Sequence, residues 1–358
     1  MSAAEAFYLP VRPGVFRSTE HTVGPWTASD QHAGPPSALL VRAMEQVLPA
    51  SGGQLARITI DILGAVPVAE VEVTAEVVRS GRSVQLAAAE LRATNGTGDP
   101  DRAGTPSSTS NGRGDGNGGR VLARASAWWH RAGETSALVT PTMPPPPRPP
   151  ANARPGTSTS TGARPDTSAN TGTSPVLGAG TGTGTGAEDG IGAGAGAGYG
   201  IGAGNATVTE DAAGAGEGAD AGPGEPGAEA GALWTSGYLA AMEWRWVEGH
   251  FMRRGPATVW TRMRYPLVPG EVPSAAQRVM VTADSGNGIS NELDMASWLF
   301  VNTELTVHLV RPAVGEWVGM AARTDLGASG TGLATTRLFD EEGEVGCGAQ
   351  ALVVRPRQ

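Results

Sequence analysis

The segment His32–Gly34 stands at the start of a predicted helix and could bind a ligand oxygen. Pro35 and Pro36 follow it, and apolar residues recur from Leu39 at helical spacing, so a helix is predicted to begin there. The first backbone N–H groups of a helix lack intrahelical partners and can receive a polarised oxygen, which Gly34 would let approach closely. We therefore predict that His32 and Gly34 bind the ligand. The alternative is that Gly34 simply starts the helix and that His32 packs over it.

Several kinds of catalysis are excluded by what the chain lacks. It contains no lysine, so a lysine Schiff base, a Ser-x-x-Lys pair and a P-loop lysine are all ruled out. It also contains no Gly-x-Ser-x-Gly sequence, which disfavours a Ser-His-Asp hydrolase of the α/β type. No cofactor is predicted.

Cys347 is the only cysteine, and it stands between two glycines in a predicted strand. It could accept an acyl group, but no histidine is near it in sequence. A small buried apolar residue is therefore the preferred interpretation. One cysteine and five scattered histidines offer no set of ligands at zinc spacing, so no metal site is predicted.

Charge and targeting signals limit the partners and the location. The net charge of −9 and the scattered arginines argue against a nucleic-acid partner, because phosphate binding needs a basic face. The first ten residues lack a basic segment followed by an apolar run, and no apolar run is long enough to span a bilayer. We predict a cytoplasmic protein without a membrane span. A homo-oligomer is compatible with the sequence, which does not decide the point.

Composition divides the chain into two globular segments and two inserts. We predict an N-terminal domain over 1–132 and a C-terminal domain over 232–358. A polar, Gly-rich stretch at about 95–118 is predicted to be a disordered hairpin loop inside the first domain. The Gly/Pro/Thr-rich stretch 133–231 is predicted to be a disordered linker, because it cannot bury enough apolar surface to offset its ordering entropy.

Both globular segments follow the same plan. Each has a helix with proline in its first turn, followed by alternating strands that begin near Ile58 in one segment and near Leu305 in the other. Two further strands follow in each segment, around 84–92 and 121–129, and around 332–339 and 345–354. One helix wrapped by an antiparallel sheet is the hotdog plan, so an α+β double hotdog is predicted.

Motifs spread over both segments carry a family resemblance. They are Pro25-Trp26, Gln31–Leu40, Gly81-Arg82, Gly315–Trp317 and Gly348–Leu352. In this order and spacing the chain resembles the double-hotdog acyl-CoA thioesterase family, which includes bacterial type II and peroxisomal acyl-CoA thioesterases. The resemblance implies that the ligand bound near His32 and Gly34 is an acyl-CoA, hydrolysed to free fatty acid and CoA.

The resemblance also implies three catalytic positions, all in the C-terminal domain. The aspartate of the central helix falls on Asp284, and the glutamine of the last strand falls on Gln350. The family's serine or threonine falls on Asn302, which is a departure, with Thr303 one residue further on. Asp284 would take a proton from water while Gln350 and Asn302 hold that water. Apart from the resemblance, Asp284 is also compatible with an ordinary turn residue.

A comparison of the two halves predicts one site per chain, because Val47 stands opposite Asp284 and Ser126 opposite Gln350 in our alignment. Two other functions stay open. One is an acyl-CoA-binding protein that is catalytically weak or inactive, which the Asn302 departure suggests. The other is a hotdog enoyl-CoA hydratase, although Asp30 and His32 are too close in sequence for its usual pair.

Overall fold

The computed structural model describes residues 5–94, 119–149, 236–251 and 253–357. The predicted loop insert 95–118 lies outside the described residues, as does most of the predicted linker 133–231. Within the described ranges, no helix is long and apolar enough to cross a membrane.

The N-terminal half contains one long helix and six strands. The strands are β1 (Tyr8–Arg12), β2 (Val15–Ser18), β3 (Gly53–Ile62), β4 (Glu70–Arg79), β5 (Val84–Ala93) and β6 (Val121–Arg131), and the helix is α1 (Gly34–Val47). Short 3-10 helices cover Glu20–Thr22 and Ser136–Leu138. Pro35 and Pro36 occupy the first positions of α1, as the sequence predicts, because proline lacks the N–H that a first turn would leave unpaired.

The C-terminal half repeats this plan with more interruptions. Its helices are α2 (Gly237–Ala241), α3 (Ala275–Ala283) and α4 (Gly286–Ile289). Its strands are β7 (Met242–His250), β8 (Arg253–Met263), β9 (Trp298–Asn302), β10 (Glu304–Leu309), β11 (Val318–Leu326), β12 (Thr331–Asp340) and β13 (Gly343–Pro356). Ser274 caps α3, since its hydroxyl accepts a hydrogen bond from the Gln277 N–H at 3.1 Å. The sequence predicted α3 and the strands from β10 onwards but not α2, β7, β8, α4 or β9, and Pro273 lies before the Ser274 cap rather than in the first turn of α3.

All described strands join one antiparallel sheet. Its order is β1-β2-β4-β5-β6-β3-β10-β13-β12-β11-β8-β7, with β9 pairing alongside β13. The two halves meet where β3 pairs with β10, with Thr59 opposite Thr306. On each of these strands alternate residues are buried, such as Ile58 and Ile60 on β3, so the period-two pattern of the sequence directs one face of the sheet to the core.

The core is shared by both halves. Leu39, Leu40 and Met44 of α1 belong to the same buried cluster as Val279 and Met280 of α3. Because α1 carries apolar residues on most of its circumference, it is enclosed by the sheet on one side and by α3 on the other. The two halves are therefore parts of one packed body.

Gly34 marks the closest approach of the two long helices. A Cβ atom at this position would lie 2.3 Å from the backbone carbonyl oxygen of Val281 on α3. No side chain can be accommodated at that distance, and the obstacle is backbone, which cannot rotate away. The glycine is therefore required for the start of α1 to lie against the end of α3.

At the opposite end of the helix pair, Glu45 of α1 joins the start of α3. Its carboxylate accepts hydrogen bonds from the Ser274 hydroxyl at 2.6 Å and from the Gln277 side-chain amide at 2.7 Å. Burial raises the pKa of Glu45, and these two hydrogen bonds act in the opposite direction. The carboxylate has both oxygens occupied by α3 side chains.

Residues 133–149 differ from the predicted disordered linker, because part of this stretch contacts the C-terminal half. The Met143 carbonyl accepts from the Glu344 N–H at 3.1 Å, and the Pro146 carbonyl accepts from the indole N–H of Trp260 at 3.1 Å. Arg148 forms an ion pair with Glu341. The described chain thus continues in contact with the fold beyond residue 132.

We expect Gly34→Ala to lower the free energy of unfolding by about 1–3 kcal/mol, because the added methyl group forces α1 and α3 apart. Urea denaturation followed by tryptophan fluorescence measures this change. Gly133→Ala is the matched control, since nothing lies within 4 Å of a Cβ there. An equal, small effect of both substitutions would contradict the close helix contact.

Candidate active site

A cavity of about 440 Å³ opens between the two halves, and we call it the main cavity. It is bounded by the segment before α1, the β3–β4 connection, the end of α3 with α4, and the region of β9. Most of its lining is apolar. Lining residues from the N-terminal half include Trp26, His32, Ile62 and Leu63, and those from the C-terminal half include Leu239, Phe251, Asp284, Phe300, Asn302 and Thr303.

Asp284 presents a buried carboxylate to the main cavity. It follows the last residue of α3, and its side chain is 5% exposed. One carboxylate oxygen, Oδ1, accepts from the Asn302 amide at 2.9 Å. The other, Oδ2, lies 3.1 Å from Nδ1 of His32. The structure thus brings together three residues that the sequence predicted for the site, although they lie on three separate elements.

His32 is held as a neutral imidazole beside this carboxylate. Its ring stacks on Tyr238 with centroids 3.8 Å apart. Burial lowers the pKa of His32, and the nearby Asp284 charge opposes that shift without reversing it. The Gly34 N–H donates to His32 Nδ1 at 3.1 Å. Nδ1 therefore lies within hydrogen-bond distance of both the Gly34 N–H and the Asp284 carboxyl group.

Tyr238 holds the His32 ring in place and is itself hydrogen-bonded to the end of α3. Its hydroxyl donates to the Val281 carbonyl at 2.8 Å and lies 2.9 Å from the Ser285 hydroxyl, which then donates to it. Burial raises the pKa of Tyr238. The ring that stacks on His32 is thereby fixed to the end of α3. No motif in the sequence connects Tyr238 with His32, because the two are brought together only by tertiary packing.

Gln350 contacts the backbone around Asp284 rather than the cavity. Its amide nitrogen donates to the Asp284 carbonyl at 3.1 Å, and its amide oxygen accepts from the Asn287 N–H at 3.0 Å. It is 1% exposed and is not among the residues that line the main cavity. A Cβ at Gly286 would lie 2.8 Å from the Gln350 amide oxygen, so a residue with a side chain at position 286 would collide with Gln350. Gln350 holds the turn that carries Asp284.

Thr303 lines the main cavity, but its hydroxyl is directed to the backbone. It donates to the Ala351 carbonyl at 3.4 Å, and the Thr303 N–H donates to the same oxygen at 3.0 Å. Asn302, not Thr303, contacts the Asp284 carboxylate. Of the two residues predicted for this position, Asn302 is therefore the one that lies beside Asp284.

The structure adds to one sequence interpretation and corrects another. Gly34 is buried against Val281, so its small size is needed for helix packing, and its part in ligand binding stays a prediction. Cys347 is exposed on β13, whereas the sequence favoured a buried residue. It lies opposite His308 in the pairing of β10 with β13 and is not among the residues that line the main cavity. Among the described residues, no cluster of potential ligands could hold a metal ion.

Family models match both halves of the chain. The acyl-CoA thioesterase N-terminal domain matches residues 22–130, and the acyl-CoA thioesterase C-terminal domain matches residues 216–354. A comparison with curated protein sequences found no match.

Solved structures with the same fold share little sequence with this chain. A protein from Thermobifida fusca described as a thioesterase II is 12% identical, with a TM-score of 0.54 over 97% of this chain and 95% of that one. The tesB protein of Mycobacterium avium subspecies paratuberculosis is 13% identical, with a TM-score of 0.51 over 98% of this chain and 96% of that one. A protein from Novosphingobium aromaticivorans described as a thioesterase is 16% identical, with a TM-score of 0.51 over 98% and 99% of the two chains.

The two family models match in the order that the two halves follow in one continuous sheet, and the solved structures share that fold over nearly their whole length. The chain belongs to the double-hotdog acyl-CoA thioesterase family, whose members are thioester hydrolases.

Proposed function

We propose that this protein hydrolyses fatty acyl-CoA to free fatty acid and CoA, with Asp284 as the general base that activates water. The observation that carries this proposal is a buried carboxylate that opens onto an apolar cavity, with an amide on one oxygen and an imidazole near the other. A general base needs an open space for its water and partial shielding from bulk solvent, and Asp284 lines the cavity while its side chain is 5% exposed.

The apolar lining suits the acyl part of the substrate. Ile62, Leu63 and Phe300 offer hydrocarbon surface, and each methylene group moved from water into such surroundings contributes about 0.8 kcal/mol to binding. The thioester carbon would then lie beside Asp284 at the polar end of the same cavity. The acyl chain fixes the substrate there without any charged contact.

In the proposed reaction the proton passes through Asp284. Water attacks the thioester carbon while its proton moves to the Asp284 carboxylate, and the carbon–sulfur bond then breaks. The departing thiolate takes the proton from Asp284, so the carboxylate is regenerated. His32 Nδ1, 3.1 Å from Oδ2, holds the Asp284 side chain in place through these two steps.

Asn302 supplies the remaining donor. One N–H of its amide is used by Asp284, and the second remains for the thioester carbonyl oxygen, on which negative charge builds up. Gln350 is a positioning residue in this scheme, because its amide holds the backbone on both sides of the turn. Thr303 has no part in the chemistry.

A second candidate is an acyl-CoA-binding protein without turnover. The observation that favours it is that both Asp284 oxygens already have protein neighbours, Asn302 and His32, which compete with a catalytic water. The hydratase alternative lacks comparable support, since Asp30 accepts a hydrogen bond from Thr27 and the carboxylate near His32 belongs to Asp284. The cytoplasmic location and a homo-oligomeric state stay predictions.

We expect Asp284→Asn to lower kcat for acyl-CoA hydrolysis by about a hundredfold to ten-thousandfold, because the amide cannot accept the proton of water. Release of free CoA, measured with a thiol reagent, reports the rate. Asp325→Asn on β11 is the matched control, since Asp325 is exposed and pairs with Arg323. The general-base assignment fails if the two variants keep equal activity, and the binding-protein candidate is preferred if the wild type releases no CoA yet binds acyl-CoA.

Asn302 and Thr303 can be separated by substitution. We expect Asn302→Ala to lower kcat by about a hundredfold with little change in KM, as for the loss of one donor to the developing oxyanion. Thr303→Ala is expected to stay within about twofold of the wild type, because its hydroxyl contacts only a backbone carbonyl. The reverse result would move the catalytic position to Thr303.

The lowered pKa of His32 makes stability depend on pH. The unfolded chain, in which histidine has its usual pKa of 6.5, binds this proton more readily than the folded protein. His32 therefore costs the folded protein stability as the pH falls below 6.5, and the cost is absent above it. We expect the wild type to lose more unfolding free energy than His32→Gln between about pH 7.5 and about pH 5, measured by urea denaturation. Exposed His308→Gln is the control, and an unchanged difference between wild type and His32→Gln would contradict the assignment.

A further inference from the structure

A second cavity of about 260 Å³ adjoins the main cavity, and we call it the side cavity. Its lining comes from residues 23–28 and from the start of α2, including Gly24, Ala28 and Gly237. Gly237 has a positive φ of 65°, and its neighbour Tyr238 donates its N–H to the Val23 carbonyl at 2.9 Å. The start of α2 is thereby hydrogen-bonded to residues 23–28, so the two segments that line the side cavity are fixed to each other.

Three residues line both cavities, namely Pro25, Trp26 and Leu239. Of these, Trp26 has by far the largest side chain. A ring that contributes surface to two adjoining cavities forms the partition between them. The end of the main cavity is therefore set by the position of one indole group.

Trp26 is held on its two sides by weak contacts. Its ring meets the edge of Phe300 with centroids 5.6 Å apart, and the Arg357 guanidinium lies 5.8 Å from its centroid. Arg357 is itself fixed, because its side chain donates to the Met295 carbonyl at 2.8 Å. The indole is 41% exposed, so it is much less enclosed than the tryptophans of the core, such as Trp260 at 2%. Removing or turning this ring requires little rearrangement of the fold.

We propose that Trp26 determines the acyl-chain length that this site accepts, because its indole separates the main cavity from the side cavity. This inference rests on the proposed function, because it assumes that the acyl chain occupies the main cavity with its thioester beside Asp284. With the indole in place the chain ends at Trp26. Without it, the main and side cavities form one longer space.

The size of the effect follows from the hydrophobic contribution of each methylene group. Burying about two further methylene groups corresponds to about a tenfold gain in kcat/KM. Trp26→Ala is therefore expected to raise the ratio of kcat/KM for hexadecanoyl-CoA to that for hexanoyl-CoA by about tenfold or more. The rate with hexanoyl-CoA itself is expected to change little, since a short chain does not reach the partition.

The experiment measures CoA release from hexanoyl-, dodecanoyl- and hexadecanoyl-CoA by wild type, Trp26→Ala and Trp26→Ala/Ala28→Phe. The added Phe at the exposed position 28 is expected to refill the side cavity and to restore the wild-type ratio. Trp128→Ala is the matched control, because Trp128 lines a different hollow on the sheet and neither of these cavities. Dissociation constants for non-hydrolysable thioether analogues of the same three chain lengths are measured in parallel on every variant.

The outcomes are distinct. A chain-length shift in Trp26→Ala that the added Phe reverses supports the proposal. A uniform change for all three chain lengths overturns it, because Trp26 would then contact the part that the substrates share, and so does an unchanged ratio. If the wild type releases no CoA, the proposed function fails, while the thioether affinities still test whether Trp26 limits chain length. Should Trp26→Ala not fold, Trp26→Phe decides, because its ring is smaller than the indole: the proposal predicts a shift of the ratio towards the longest chain, and an unchanged ratio overturns it.

Discussion

The contact between the start of α1 and the end of α3 is the constraint on which the site depends. Because Gly34 has no side chain, the first turn of α1 reaches the Val281 carbonyl, and this brings His32 from one half of the chain to Asp284 from the other. A bulkier residue at position 34 would collide with the Val281 carbonyl and push the start of α1 away from the end of α3. The same contact joins the two halves along α1 and α3, so it contributes both to the shared core and to the site.

A carboxylate buried at such a seam is costly unless its surroundings compensate. The Asn302 amide donates to it, and Gln350 fixes the backbone that carries it, so the side chain cannot withdraw to solvent. Tyr238 adds a further connection, since its hydroxyl bonds to α3 while its ring stacks on His32. The side chains around Asp284 therefore keep the proposed base in one position, which is what preorganised catalysis requires.

The sequence could predict the fold because its patterns are local. Alternating apolar residues near Ile58 and Leu305 and the proline-led helices specify the strands and helices directly, and the family motifs point to Asp284 and Asn302. Contacts between residues that are far apart in the chain could not be predicted from these local patterns. The partnership of Tyr238 with His32 is invisible along the chain, and so is the exposure of Cys347.

The role of each polar residue was harder to predict than its presence. Gln350 matches the family position, yet its side-chain atoms bond to backbone groups of a turn that includes α4, a helix too short to have a clear sequence pattern. The small size of Gly34 was interpreted as letting a ligand approach, whereas a Cβ atom there would lie closest to the Val281 carbonyl oxygen of α3. In both cases the residue type was informative and the partner was decided by tertiary packing.

The two ends of the α1–α3 pair explain why one carboxylate is available for chemistry and the other is not. At one end, both Glu45 oxygens accept hydrogen bonds, one from Ser274 and one from Gln277, at the start of the neighbouring helix. Glu45 is not among the residues that line the main cavity. At the other end, Asp284 receives one amide donor at Oδ1, its Oδ2 lies 3.1 Å from His32 Nδ1, and the residue lines the main cavity. A carboxylate whose two oxygens both accept hydrogen bonds from protein side chains has little room left for a water molecule. The two carboxylates therefore differ in access, because Glu45 is enclosed by side chains at the start of α3 whereas Asp284 is open to the main cavity.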